Sequence, residues 1–396
     1  MTHFRLRPAS ASDPLALARR LSVALFATGA VYGLNLAFLP LWLSARGLDA
    51  TAIGLVLAVP TFLSIFLTPA FCAFIDRRDR LASGFVASAI VTPLGFMAMA
   101  LAPSAGWVAF AAVLAATARA PMLSLADALA FALVAKDKRV DYGRVRVWVS
   151  VSVLIAMACG GFVLERVSGP SIIWVFVVVT GLGAAAAAAV APTDREIDAP
   201  TGLFSTGSSL ARPSRALALV IAAAALVQGS HGALYGFASL GWRDQGASDG
   251  FIGLIWAMGV AAEIILFAFA GRIGVADRAR AFLIFGAGAA ALRWAIMMAF
   301  APAGWAALAL QASHMASYGA THLGTLYLVS RLAPPDARAQ AQGWINSALA
   351  AATMAATALS GVLWSHGASV AYGAMTAMAA AGLALALMAG RAQPEG

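Results

Sequence analysis

Long apolar stretches separated by short polar interruptions run through the whole chain, and most of them are long enough to cross a bilayer. Crossing the hydrocarbon core takes about 20 mostly apolar helical residues. With Gly, Pro and charge clusters as punctuation, the pattern predicts twelve spans, at roughly 17–43, 51–75, 81–102, 105–134, 145–165, 170–191, 214–242, 250–271, 279–301, 303–330, 338–364 and 367–390. This is an all-α membrane protein with 12 transmembrane helices. The first span follows Arg5, Arg7, Arg19 and Arg20 as a signal peptide core would, but it continues to Trp42 and is expected to be retained. Residues 192–213, rich in Pro, Asp, Glu, Gly and Ser, form the long polar stretch between spans. They divide the chain into an N-terminal six-helix bundle (1–191), a cytoplasmic linker (192–213) and a C-terminal six-helix bundle (214–396). Repeats agree: LAPSAGW at 101–107 echoes FAPAGW at 300–305, and IGL at 53–55 echoes IGL at 252–254. Two pseudo-symmetric halves around a midplane site are the build of many secondary transporters.

Composition sharpens this. Of the 396 residues 62% are hydrophobic and 11% charged, against about a quarter charged in soluble domains. The net charge of +9 would suggest a nucleic-acid partner if it were clustered on a soluble face. Instead, 21 of the 26 Lys and Arg fall in segments on one side, in loops or the span ends beside them, when both termini are cytoplasmic, which is the positive-inside pattern. The expected location is the bacterial inner membrane, with the bilayer and no nucleic acid as partner. The two cysteines lie in apolar runs, which leaves no disulfide framework or metal cluster, and no Walker lysine motif or HExxH is present. Neither a metal nor a cofactor is expected, and an intramembrane enzyme or a non-transporting receptor fits poorly.

An ionisable residue inside a span costs roughly 2.5–3.5 kcal/mol on insertion scales, so those retained point to a cavity or a partner. Here they are Arg119 and Asp127 in span four, His231 in span seven, Glu263 in span eight, Arg293 in span nine, and His314 and His322 in span ten. Helical spacing puts Gln228, His231 and Tyr235 on one stripe, and His314, Tyr318 and His322 on another that drifts by about 80°. Tyr32 and Asn35 in span one, and Asn346 in span eleven, carry a weaker signal. Packing glue between helices is the bland reading of any one of them, but two stripes beside Glu263 and Arg293 favour a polar cavity. A carboxylate or imidazole there can carry a proton, with Glu263, Asp127 and His314 the candidates and Arg293 a partner. No carboxylate cluster with Gly-rich unwound backbone supports sodium.

The loop CAFIDRRDR at 72–80 resembles a degenerate acidic-basic loop signature of the major facilitator superfamily. The usual glycine is replaced by Cys72 or Ala73, while Asp76, Arg77, Arg78 and Arg80 remain as gating-loop candidates. Further along, ADALA at 126–130, DYGRVRVW at 141–148, LVQGSHGALYGF at 226–237, GVAAEIILFAF at 259–269, LRWAIMMAF at 292–300 and QASHMASYGATHL at 311–323 resemble the 3-phenylpropionic acid transporter family. That family sits near lactose permease and the nucleoside:proton symporters. The resemblance implies the major facilitator fold. It implies substrate roles for Asp127 and Arg146, by likeness to the permease's helix-four carboxylate and helix-five arginine, and proton coupling through Arg293 and His314. Where the permease has a glutamate three residues after the histidine, this chain has Ser317, so Glu263 first and Asp127 second become the proton carriers. By likeness to the nucleoside symporters, Gln228, His231, Glu263 and Tyr318 contact substrate. Arg119 matches nothing in the pattern, and either receives a substrate carboxylate or neutralises Asp127.

Together these readings predict a monomeric proton symporter importing a small organic solute by alternating access. The substrate set is Tyr32, Asn35, Arg119, Asp127, Arg146, Gln228, His231, Glu263, Tyr318 and His322. The proton-coupling set is Glu263, Asp127, Arg293 and His314. Phenylpropionate-like aromatic acids lead, with nucleosides or another polar solute second and efflux third.

Overall fold

A computed structural model describes residues 13–167, 169–190, 212–334 and 337–391. Among the described residues the chain forms twelve antiparallel helical rods: α1 (Pro14–Ala45), α2 (Ala50–Asp76), α3 (Leu81–Leu101), α4 (Ala105–Lys136), α5 (Tyr142–Leu164), α6 (Ile172–Ala188), α7 (Arg215–Asp244), α8 (Asp249–Phe269), α9 (Ala279–Phe300), α10 (Gly304–Leu332), α11 (Arg338–Trp364) and α12 (Ala368–Arg391). Ten are long and apolar enough to cross a membrane as unbroken or nearly unbroken helices. Of the other two, α6 is a shorter apolar helix and α10 is divided into three segments. Most of the predicted linker, 192–211, lies outside the described residues.

Capping residues visible in the sequence set several starts. The Asp13, Asp49, Asp141, Ser214 and Ser248 side chains accept backbone N–H bonds in the first turns of α1, α2, α5, α7 and α8. Interior breaks also have local causes. α4 is interrupted at Ala120 and Pro121, where proline lacks the N–H that would continue the ladder. α7 breaks at Ser230 and His231, between Gly229 and Gly232, two glycines whose missing Cβ atoms let the helix press on α11 at Ala352 and Ala356. α10 contains a π turn over Met315–Ala320, a wider winding frequent at functional sites.

α1 packs on α5 and α6, α3 on α4 and α6, α7 on α11 and α12, and α9 on α10 and α12. The two six-helix sets meet along α2–α11, α5–α8 and α1–α7. We term the end where α1 begins and α12 finishes proximal, and the opposite end distal. Distally one apolar core spans both sets, with Leu41, Trp42 and Met157 from one and Phe237, Trp242 and Ile252 from the other. Proximally the core divides in two, one cluster around Leu21, Phe85 and Leu129 and another around Leu217, Leu283 and Val329. The sets are therefore welded distally and parted proximally.

Glycines make the distal weld tight. A Cβ on Gly54 would lie 3.0 Å from the Gly361 Cα, one on Gly253 2.2 Å from the Met157 carbonyl oxygen, and one on Gly161 2.0 Å from the Asp249 carbonyl oxygen. Polar bonds add to it. The Ser239 hydroxyl donates to the Ala37 carbonyl at 2.6 Å, and the Gly250 N–H donates to the Glu165 carboxylate at 2.7 Å. Arg243 and Asp249 pair beside it. Facing outward, Phe66, Phe110, Val178 and Leu292 are each at least 60% exposed, as a hydrocarbon-facing belt requires.

Candidate functional site

Beneath the distal weld lies a cavity of about 730 Å³ walled by α1, α2, α4, α5, α7, α8, α10 and α11. That volume is ample for a small organic molecule. It extends from Leu39, Pro40, Met157 and Thr357 under the weld to Arg146 and Phe267 towards the proximal end. Its walls are mainly apolar and aromatic, with Tyr32, Tyr235, Trp256, Phe267 and Tyr318 among them.

The charged groups are arranged by depth. Tyr32 is 13 residues before the distal end of α1, and Arg119, Glu263 and Tyr318 are each 14 residues past the distal starts of α4, α8 and α10. At 1.5 Å per residue all four lie about 20 Å below the distal rim, near the middle of the span. Arg119 and Glu263 thus face one level of the cavity from different six-helix sets, and the Tyr32 hydroxyl lies within electrostatic reach of both. Among the described residues the Arg119 guanidinium has no hydrogen bond and no ion pair. Behind it is a second, water-sized cavity of about 10 Å³ flanked by Thr28, Thr92 and Thr180, whose hydroxyls donate to their own helices at Ala24, Ser88 and Phe176.

The opposite wall holds a buried network. Arg293, 2% exposed, donates to the His314 Nδ1 at 2.9 Å, to the Ser317 hydroxyl at 3.1 Å and to the Gln311 Oε1. Guanidinium is only a donor, so the His314 Nδ1 must accept and its proton sits on Nε2, which faces the Glu263 Oε1 at 3.6 Å. Ser317 also meets the His231 Nε2 at 3.3 Å, and the His231 Nδ1 bonds to the Val227 carbonyl at 3.1 Å. The break in α7 lets Ser230 accept from the Trp294 indole N–H at 2.8 Å. The chain Glu263–His314–Arg293–Ser317–His231 therefore ties four helices together, and among the described residues the Glu263 Oε1 is buried without a hydrogen-bond partner.

The structure sorts the sequence candidates. Tyr32, Asn35, Arg119, Arg146, Glu263, His314 and Tyr318 line the cavity. Gln228 and His231 do not: the tight packing at Gly229 and Gly232 turns this part of α7 inward, and the two side chains are 4% and 0% exposed in protein packing. The stripe expected on span seven contributes only Tyr235. His322 is exposed beyond the cavity wall. The drift expected along His314, Tyr318 and His322 is absent, because the π turn offsets it and the three rings stack at 17° and 5°.

Asp127 is off the cavity wall, bonded to the Arg146 Nε at 3.0 Å and to the Tyr142 hydroxyl at 3.2 Å. Arg146, not Arg119, is the cation that neutralises it. In the 72–80 loop Asp76 is buried, Arg77 and Arg80 are exposed, and the Arg78 guanidinium lies 3.9 Å from the Phe74 ring centroid. Asn346 is exposed. Sequence reasoning missed Gln311, Trp256 and Thr357 on the wall. Gln311 had a signal available, a buried amide three residues before His314 and so on the same face.

Comparison with known proteins agrees with this architecture. The profile of the MFS_1 like family matches residues 18–374. A probable 3-phenylpropionic acid transporter of Escherichia coli (strain K12) is 30% identical over 324 residues, covering 78% of this chain and 82% of that protein. Among solved structures, the nucleoside transporter NupG superposes with a TM-score of 0.76 at 14% identity, over 95% of this chain and 98% of the other. A bacterial homologue of the human lysosomal transporter Spinster, inward-facing and unoccupied, does so at 0.72 and 14% identity, over 97% and 98%. At such identities the two structures speak for the fold alone. With the family matched along nearly its whole length, the chain belongs to the MFS_1 like family of the major facilitator superfamily and is a multi-pass membrane transporter of small molecules.

Proposed function

We propose that this transporter imports aromatic monocarboxylic acids of the phenylpropionate class together with protons across the bacterial inner membrane. The observation that carries the reading is Arg119, a cation on the wall of an aromatic-lined cavity with no hydrogen bond or ion pair among the described residues. A cation held at mid-membrane without a counter-charge is costly, and a substrate carboxylate would supply what its own helices do not. Tyr32 and Tyr318 line the cavity at the same depth, and Tyr235 and Trp256 line it nearer the distal weld, so an aromatic part can lie among them. The probable 3-phenylpropionic acid transporter at 30% identity supports this substrate class.

Glu263 is the proton carrier in this reading. The position three residues after the span-ten histidine is a serine here, bonded to Arg293 and near His231, and Glu263 brings a carboxylate to the same histidine from α8. Asp127, held by Arg146 and Tyr142, serves to brace α4 against α5. The proximal end is cytoplasmic, because 21 of the 26 basic residues then lie in or beside cytoplasmic loops, and the cavity described above is the inward-facing state. The two six-helix halves rock about it as a monomer, since the chain's own helices enclose the site. Gln228 and His231 face protein rather than the cavity, which removes the support they lent to a nucleoside substrate.

The test is uptake into proteoliposomes under an inward proton gradient, comparing labelled 3-phenylpropionate with labelled uridine, with and without a protonophore and against protein-free vesicles. Saturable, protonophore-sensitive uptake of the acid alone is expected. Accumulation of uridine alone refutes the substrate class.

A further inference from the structure

On the reading that Arg119 receives the substrate carboxylate, we infer that Arg119 and Glu263 pair directly when the empty cavity closes, and that this exchange of partners sets transport at one proton per monocarboxylate, without net charge movement. The two groups lie at one depth on opposite walls, in different six-helix sets. Among the described residues Arg119 has no hydrogen bond or ion pair, and the Glu263 Oε1 is buried with no partner in hydrogen-bond range. In this proximally parted state they are separated by the cavity. Bringing the proximal ends together narrows that separation.

The other charges and titratable groups around Glu263 are constant across the cycle or neutral. His314 and Tyr318 face it from α10, Tyr235 from α7 and Tyr32 from α1. His231 lies behind them, bonded to Ser317. Arg293 belongs to the same helix set as Glu263 and is enclosed by Gln311, His314 and Ser317, so it travels with Glu263. Arg146 sits on the other set with Asp127 as its own counter-charge. Only two quantities vary: the occupancy of Arg119 and the proton on Glu263.

Closure expels water, and an unpaired ion left inside is expensive. Four states then separate cleanly. Empty with Glu263 ionised, one guanidinium faces one carboxylate and closure is allowed. Loaded with the acid anion and with Glu263 protonated, the substrate carboxylate takes the place of Glu263 and the balance is the same. With substrate but no proton, two carboxylates compete for Arg119, the guanidinium on the cavity wall, while Arg293 stays enclosed by Gln311, His314 and Ser317. With a proton but no substrate, Arg119 is alone. The last two resist closure, which enforces coupling. The proton rides on the Glu263 carboxyl from the distal to the proximal side and leaves as Glu263 returns to Arg119. One positive and one negative charge move together.

The test uses wild-type protein in liposomes with potassium and valinomycin to set the potential independently of pH. A pH gradient of one unit at zero potential is expected to drive saturable uptake, faster than in protein-free vesicles, towards about tenfold accumulation of 3-phenylpropionate, tenfold being the equivalent of one pH unit for one proton. A 100 mV inside-negative potential without a pH gradient is expected to give no accumulation, whereas a two-proton carrier would gain about 50-fold. Potential-driven accumulation overturns the inference and leaves the substrate reading intact; absence of any saturable acid uptake overturns both. The second arm is Glu263→Gln, checked for folding by gel filtration. It mimics the protonated form, so exchange of external for internal acid is expected to continue within about twofold while proton-driven net uptake falls at least tenfold. Loss of both activities together, or retention of both, overturns the assignment.

Discussion

Replacing Gly161 by Ala probes the distal weld with one methyl group. Its Cβ would stand 2.0 Å from the Asp249 carbonyl oxygen, 2.6 Å from the Asp249 carbonyl carbon and 2.8 Å from the Gly250 Cα. All three atoms are backbone at the start of α8, so no rotamer change can relieve the contact. Real Cβ contacts essentially never fall below 3.0 Å, so α5 and α8 must separate by at least 1.0 Å there. That turn of α8 is itself pinned, by the Ser248 cap, the Arg243–Asp249 pair and the Gly250–Glu165 bond. Overpacking of this kind costs about 1–3 kcal/mol. The cost falls on the distally closed state alone and amounts to a population shift of about 5- to 150-fold. The assay is double electron–electron resonance between spin labels at Ser104→Cys and Gln245→Cys, exposed positions on the distal loops of the two sets, after Cys72 and Cys159 are replaced. Gly161→Ala is expected to move the distance distribution to a longer, distally open component. Gly181→Ala, where nothing lies within 4 Å of the added Cβ, is expected to leave it unchanged. A folded Gly161→Ala protein with the wild-type distribution would refute the view that backbone contact closes this end.

Three further outcomes are expected. Glu165, just past the end of α5, accepts hydrogen bonds from Ser248 and the Gly250 N–H, and these hold its carboxyl below the ordinary glutamate range. Its contribution to closure is therefore complete above the ordinary value of about 4.3 and is lost as pH falls through the lowered one. The same labelled pair should open in that acidic window, and Glu165→Gln should be more open at neutral pH and blind to the change. On the proposal that Arg119 receives the substrate carboxylate, Arg119→Gln removes a charge-assisted contact of about 1.5–3 kcal/mol, so the KM for 3-phenylpropionate in initial-rate uptake is expected to rise about 10- to 150-fold. Ser230→Ala leaves the buried Trp294 indole N–H without its acceptor, at a cost of about 1–3 kcal/mol; thermal unfolding followed by gel filtration should show a lower Tm, and an unchanged Tm would count against the bond.

The number of crossings, the sided distribution of charge and the inventory of polar residues within spans were legible along the chain. Each depends on the cost of putting a polar group in hydrocarbon, which acts residue by residue and needs no knowledge of neighbours. Several helix starts have equally local causes, because an Asp or Ser cap bonds within two or three residues of itself. What each polar residue faces was another matter. Gln228 and His231 share a stripe with Tyr235, yet only Tyr235 reaches the cavity, since packing of Gly229 and Gly232 against α11 fixes the rotation of that segment. The π turn that aligns His314, Tyr318 and His322 has no period in the sequence to announce it. Pairing was open too: Arg119 and Arg146 were both available to Asp127, and only the approach of α5 to α4 assigns it Arg146 and leaves Arg119 facing the cavity. The closed distal end and parted proximal end likewise come from contacts between residues far apart along the chain, such as Gly161 with Asp249 and Gly253 with Met157. Hydrophobicity and charge are properties of single residues and survive in the linear order. Partner, facing and conformational state are properties of pairs, and a pair exists only once the helices have packed.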